Sequence, residues 1–218
     1  NNFSESLKKL LEKNKITPEK KSAVGTKVEF INNIQKLSTC GLTIEAVIEN
    51  LEIKKNIFSK LENLVSAECI LASNTSSLSI TSIAAACKKP ERVMGIHFFN
   101  PATIMPLVEI IPGIATDAKN ISSAKKLIDT WGNTTVIAKD TPGFIVNRVA
   151  RPFYSEALRI FDENIASKET IDWVMKEIGG FKMGPFELMD LIGNDINYTV
   201  TETVWKQFYF DARFRPSL

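Results

Sequence analysis

The sequence predicts an α/β domain, a mainly parallel sheet with helices on its faces, followed by an all-helical domain. Three observations carry that expectation. Over the first 138 residues, short apolar runs bounded by polar turns alternate with helix-period segments, which is the rhythm of strand–helix–strand units. The pattern then breaks at "KDTPG" (139–143), a turn-forming stretch. From residue 144 to about 209 only helical periodicity remains, punctuated by Gly179-Gly180, "MGPFE" (183–187) and "GND" (193–195). The expected domains are therefore residues 1–138 and 139–218.

The elements follow in order. Residues 2–14, "NFSESLKKLLEKN", place Leu7, Leu10 and Leu11 on one helical face. After "KITPEKK" come strand-like runs at 27–31 ("KVEFI"), 42–48 ("LTIEAVI"), 69–74 ("CILASN"), 93–99 ("VMGIHFF"), 107–111 ("LVEII") and 134–139 ("TTVIAK"). Helical patterns fill 51–64 and 117–131. In "LASNTSSLSI" (71–80) a strand runs into a polar turn and then an apolar helix. The apolar helical run "RPFYSEALRIF" (151–161) suits either a subunit interface or domain core.

Composition narrows the function. Lys and Arg number 27 against 25 Asp and Glu, so no global basic field points to nucleic acid or an anionic membrane. Cys40, Cys69 and Cys87 are widely spaced without a CxxC, which fits a reducing compartment and neither a disulfide framework nor a zinc site. With a single histidine, no His-based metal site is expected. The longest apolar runs fall short of a membrane span. The ten glycines contain no GxG, and there is no GxxxxGK[ST] loop for nucleoside triphosphates.

Four clusters bear chemistry. His97, the only histidine, closes a strand-like run in "GIHFFNP" (95–101); it is either core padding or a working base at a sheet edge. Glu109 is an acid in the apolar run "PLVEII", where burial requires a partner. If the two strands are neighbours, its carboxylate accepts the second imidazole N–H; on an edge strand it faces water instead. The hydroxyls of "SNTSSLS" either cap a helix, offer a ligand contact, or do both. In "DTPGFIVNR" (140–148), Asp140 or Thr141 is placed to cap a helix beginning at Pro142, and Asn147 either reaches back over the sheet edge or faces solvent. "MGPFELMDLIG" (183–193) reads as a structural turn into a helix.

Taken together, "ASNTSSLSITSIA", "GIHFFNPATIMPLVEI", "KDTPGFIVNR" and "MGPFELMDLIG", with "IEAVIENLEIKKNIF" (44–58), resemble the L-3-hydroxyacyl-CoA dehydrogenases, particularly the 3-hydroxybutyryl-CoA type. The resemblance implies NAD as cofactor, an acyl-CoA thioester as substrate, and a homodimer formed through the helical domain. It implies His97 as general base, Glu109 as its orienting partner, Ser76 near both substrate oxygen and nicotinamide, and Asn147 polarising that oxygen. Asn100, Glu49 and Lys54 would line the cofactor. Ser6 and Lys13, in "ESLKKLLEKNK", would contact coenzyme A.

The resemblance makes the first domain Rossmann-like and incomplete, because the Gly-rich turn and the acidic residue for the adenosine ribose have no counterpart in the sequence. The C-terminal tail of the family likewise has none. Two alternatives follow: a catalytically incomplete CoA-binding or dimerisation fragment, or a related hydroxy-acid dehydrogenase that does not use CoA. The family occurs in bacterial cytoplasm and the mitochondrial matrix, so the resemblance implies one of these two compartments.

Overall fold

A computed structural model describes residues 2–217. They fall into two compact units, one ending at Ser38 and the other beginning at Thr39.

The first unit holds helices α1 (Asn2–Glu12) and α2 (Pro18–Lys27) and a 3-10 turn at Ile34–Leu37. Thr17 starts α2: its hydroxyl accepts the Lys20 N–H at 3.2 Å, and Pro18 takes the first helical position, where its missing N–H costs nothing. Phe3 and Phe30 meet edge-to-face at 5.7 Å within this unit. The strand expected at 27–31 does not form. The Thr17-Pro18 start signal carries a helix to Lys27, and no ladder pairs Val28–Ile31 among the described residues.

The second unit is built on a five-stranded sheet in sequential order: β1 (Leu42–Glu45), β2 (Ile70–Ser73), β3 (Val93–Phe98), β4 (Leu107–Pro112) and β5 (Thr134–Ile137). Helices α3 (Leu51–Leu64), α4 (Ile80–Ala84) and α5 (Ala118–Thr130) are the crossovers. All pairs are parallel except β3–β4, whose short connection, residues 99–106, leaves no room for a parallel crossover. The strands and helices expected between residues 42 and 139 form with their ends moved by at most a few residues: α3 spans the expected 51–64, β4 runs one residue further to Pro112, and the others are shorter.

One face of the sheet packs Ile70, Ala72, Met94, Ile96, Val108 and Ile110 against Ala124 and Ile128 of α5. On the other face α4 lies against β3 at Gly95, where an added Cβ would come within 2.9 Å of Ile80 Cδ1 and 3.0 Å of Ile111. His97, two residues on, points to the same face.

Four helices complete the unit: α6 (Val146–Asp162), α7 (Lys168–Glu177), α8 (Pro185–Ile192) and α9 (Asn194–Gln207). The "MGPFELMDLIG" segment is indeed the turn into α8, held by Asp172, whose carboxylate accepts the Phe186 and Glu187 N–H groups at 2.9 Å each. The start of α6 corrects the expectation. It begins at Val146, not Pro142, because Gly143 and Phe144 both adopt positive φ (73° and 47°), outside the right-handed helical region. Asp140 accordingly caps α4. Its carboxylate accepts the Ile80 N–H (2.9 Å), the Thr81 N–H (2.7 Å) and the Ser79 hydroxyl (2.9 Å). No described helix is long and apolar enough to cross a membrane.

Candidate active site

β3 and β4 place His97 and Glu109 as direct cross-strand partners. His97 is 4% exposed and Glu109 fully buried, and His97 Nδ1 lies 2.8 Å from Glu109 Oε2. A carboxylate accepts, so Nδ1 is the ring nitrogen that donates, and in the neutral imidazole the lone pair is on Nε2. The rings of Phe99 (4.6 Å) and Phe144 (5.8 Å) flank the imidazole and restrict its rotation. β4 lies between β3 and β5, so the water-facing alternative for Glu109 does not hold.

The second carboxylate oxygen of Glu109 does separate work. Oε1 accepts the N–H groups of Ile145 and Val146, each at 2.9 Å, which are free donors at the start of α6. One buried acid therefore orients the imidazole and anchors the helix whose next residue is Asn147. The Asn147 amide in turn donates to the Ser76 carbonyl at 3.4 Å.

Ser76 sits on the loop after β2, and that loop is organised by Glu49. Glu49 Oε1 accepts the Ser76 N–H (3.1 Å), the Ser77 N–H (3.2 Å), the Ser77 hydroxyl (3.0 Å) and the Thr75 hydroxyl. Burial pushes the Glu49 carboxyl up, but the Thr75 and Ser77 hydroxyls and the Lys54 ammonium outweigh it and hold it below the ordinary carboxylate range. Lys54 itself is 1% exposed. Its ammonium lies 2.7 Å from Glu45 Oε1, 3.3 Å from the Val47 carbonyl and 3.4 Å from Glu49 Oε2. Enclosed in this way, Lys54 acts on any ligand through Glu49.

The structure thus joins Lys54, Glu49, Ser76 and Asn147 in one chain of contacts and couples it to His97 and Glu109 through the start of α6. Asn100 is exposed at the end of the β3 segment and makes no hydrogen bond among the described residues. Ser6, on α1, and Lys13, just after it, are exposed on the first unit.

Three supporting residues escaped the sequence reading. Glu45 receives Lys54 and, at 2.7 Å, the Ser73 hydroxyl. Asn74 Oδ1 accepts the Phe98 N–H at 2.8 Å, next to His97. Gln207 donates to the Ser77 carbonyl at 2.9 Å from 130 residues away. The only local signal was an acid, Glu45, at the end of an apolar strand. The other two depend on contacts distant in sequence.

Comparison with known proteins gives consistent matches. Residues 1–141 match the model of the 3-hydroxyacyl-CoA dehydrogenase NAD binding domain, and residues 143–218 match the C-terminal domain of the same family. The 3-hydroxyadipyl-CoA dehydrogenase of Escherichia coli is 49% identical over 188 residues, covering 86% of this chain and 40% of that protein. The 3-hydroxybutyryl-CoA dehydrogenase of Clostridioides difficile is 39% identical over 206 residues, covering 94% of this chain and 73% of that one.

Among solved structures, 3-hydroxybutyryl-CoA dehydrogenase from E. coli superposes with a TM-score of 0.96 at 44% identity, over all of this chain and 46% of the other. The (S)-3-hydroxybutyryl-CoA dehydrogenase from Ralstonia eutropha gives 0.93 at 35% identity, over 98% and 75%. The chain spans under half of the two E. coli proteins and about three quarters of the other two.

Proposed function

The chain belongs to the 3-hydroxyacyl-CoA dehydrogenase family, and from that premise we propose that it interconverts an (S)-3-hydroxyacyl-CoA and its 3-ketoacyl-CoA with NAD as redox partner. The observation that carries the reading is the buried His97–Glu109 pair, 2.8 Å apart, which leaves Nε2 as an open base while the same carboxylate anchors α6 beside Asn147.

In the oxidative direction the hydroxyl proton passes to His97 Nε2. The proton on Nδ1 stays there, donated in a hydrogen bond to Glu109, whose negative charge stabilises the imidazolium as it forms. The Asn147 amide and Ser76 hydroxyl donate to the substrate oxygen as it becomes a carbonyl, and hydrogen bonds that strengthen along the reaction lower its barrier. A bound NAD would supply the acceptor for the hydride released from C3.

The residues present fit the nicotinamide end of that cofactor. Glu49, Ser76 and Asn100 offer polar groups at the carboxyl edge of the parallel strands, where open α/β sheets take dinucleotides. The lowered Glu49 carboxyl suits hydroxyl donors such as those of a ribose. These three would hold the group, with Lys54 fixing Glu49. Ser6 and Lys13 would contact coenzyme A. We take residues 1–138 and 139–218 as the cofactor and substrate domains, and the helical domain as the seat of a homodimer.

The test is NADH oxidation by acetoacetyl-CoA, followed at 340 nm. The wild-type protein turns over, and His97→Gln lowers kcat by about 1,000-fold with its melting temperature kept. A wild-type protein inert to acetoacetyl-CoA, or undiminished turnover in the variant, refutes the assignment.

A further inference from the structure

β2 and β3 separate just before the site. Their parallel ladder ends with Ser73 opposite Gly95, so Ile96, His97 and Phe98 run on past the end of β2. In a longer ladder the Phe98 N–H would meet a backbone carbonyl of β2. It meets a side chain instead: Asn74 Oδ1 accepts it at 2.8 Å. The Asn74 backbone serves the opposite neighbour, its N–H donating to the Glu45 carbonyl on β1 at 2.7 Å. One residue thus holds β1 through its main chain and β3 through its amide, at the point where β2 leaves the sheet.

That link lies between two working groups. His97 directly precedes Phe98, and Ser76 follows Asn74 by two residues. The other hydrogen bonds of the 74–78 loop run elsewhere. Glu49 takes the Thr75, Ser76 and Ser77 donors, the Ser73 hydroxyl takes the Thr75 N–H at 3.3 Å, and Asn147 and Gln207 hold the Ser76 and Ser77 carbonyls. Among the described residues the Asn74–Phe98 bond is the one hydrogen bond from this loop to β3. Glu109 fixes His97 from the β4 side, and Asn74 fixes the same segment from the β2 side. Asn74 Nδ2 has no acceptor among the described residues, so the amide is engaged through its oxygen alone.

We infer that Asn74 is a positioning residue of the reaction, whose side-chain oxygen sets the spacing between the His97 imidazole and the Ser76 hydroxyl. The inference rests on the dehydrogenase reading, in which both groups meet one substrate oxygen. Nε2 takes a proton from that oxygen while the hydroxyl donates to it, so both must lie within hydrogen-bond reach of a single atom. A misplacement of about 1 Å costs on the order of 100-fold in rate. Asn74 spans the distance with one short side chain, attached to the loop at one end and to β3 at the other.

The test follows NADH oxidation by acetoacetyl-CoA in the wild type and two variants, with exchange of the Phe98 amide proton read by NMR. Asn74→Ala removes the acceptor. It lowers kcat at least about tenfold while KM for acetoacetyl-CoA stays within about twofold, and the Phe98 amide exchanges at least about tenfold faster. Asn74→Asp keeps an oxygen for the Phe98 N–H and loses only the Nδ2 donor. It restores kcat to within about threefold of wild type, together with the slow exchange. A link that served stability alone would lower the melting temperature and leave kcat intact well below it.

A smaller fall in kcat for Asn74→Ala, or an Asn74→Asp variant that stays slower, overturns the inference. Should Asn74→Ala fail to fold, Asn74→Ser replaces it with the same expectation, because its hydroxyl is one atom too short to reach Phe98. Wild-type turnover separates the two readings. Normal turnover with an unimpaired Asn74→Ala sinks the role of Asn74 alone, whereas no wild-type turnover sinks the dehydrogenase reading and this inference together.

Discussion

At the scale of single residues, Glu109 does the most with the least. A buried carboxylate is tolerated only when its lone pairs are used, and here three N–H groups use them. Glu109→Gln keeps the shape but turns one oxygen into a donor, which must face either the imidazole N–H or the two backbone N–H groups. The expected result is a lower kcat with KM nearly unchanged, plus a loss of about 1–3 kcal/mol of stability. A variant with wild-type kcat would remove Glu109 from its positioning role.

Glu49 gives a pH signature of known sign. Its carboxyl lies below its ordinary value when folded, so its contribution to stability is present above the unfolded value of about 4.3 and is lost as pH falls through the lower folded value. The melting-temperature gap between wild type and Glu49→Gln should therefore be present at pH 7 and close as pH drops below about 4. It should be small, because the side chain is 39% exposed and its interactions are screened. A gap that widens on acidification contradicts this.

At the scale of elements, two short connections set the site. The turn at 140–145 is spent on Asp140 capping α4 and on the positive-φ pair Gly143-Phe144, and this delays α6 until Glu109 can take its first free N–H groups. α4 is only five residues long, too short to persist without its caps. Asp140→Ala leaves the Ile80 and Thr81 N–H groups without their acceptor and should cost about 1–2 kcal/mol, read from the denaturation midpoint. Because α4 packs on β3 at Gly95, the same variant should lower kcat modestly. Unchanged stability would mean that water replaces the cap.

At the scale of the whole molecule, the helical region presents an apolar face where α6 meets the start of α8. Val149, 70% exposed, Ile145 and Phe181 border a cavity of about 780 Å³ there. Exposed apolar surface of this kind marks an interface more often than bare solvent contact. The proposed homodimer covers it, and light scattering should give twice the monomer mass, with Val149→Asp shifting the protein to monomer. A monomeric wild-type protein at micromolar concentration would rule the dimer out.

The amino-acid order by itself determined the strand–helix rhythm of the sheet, the change to helices after residue 139, and the residue types of the site. These are local properties: period-two and period-3.6 patterning and turn chemistry are written within a few residues of each element. The extent of α3, Leu51–Leu64, was legible to the residue because Asn50 caps it. Residues 27–31 misled because their composition suits a strand, while strand formation depends on a partner that composition cannot supply.

Tertiary structure alone decided that β3 and β4 are antiparallel neighbours with His97 opposite Glu109, that Asp140 serves a helix 60 residues upstream, that Lys54 is sealed beneath Glu49, and that Arg151 lies buried against Asn197 and Thr201. Each of these is a pairing across the chain. The contact offsets the cost of taking both groups out of water, and no local stretch of sequence contains both.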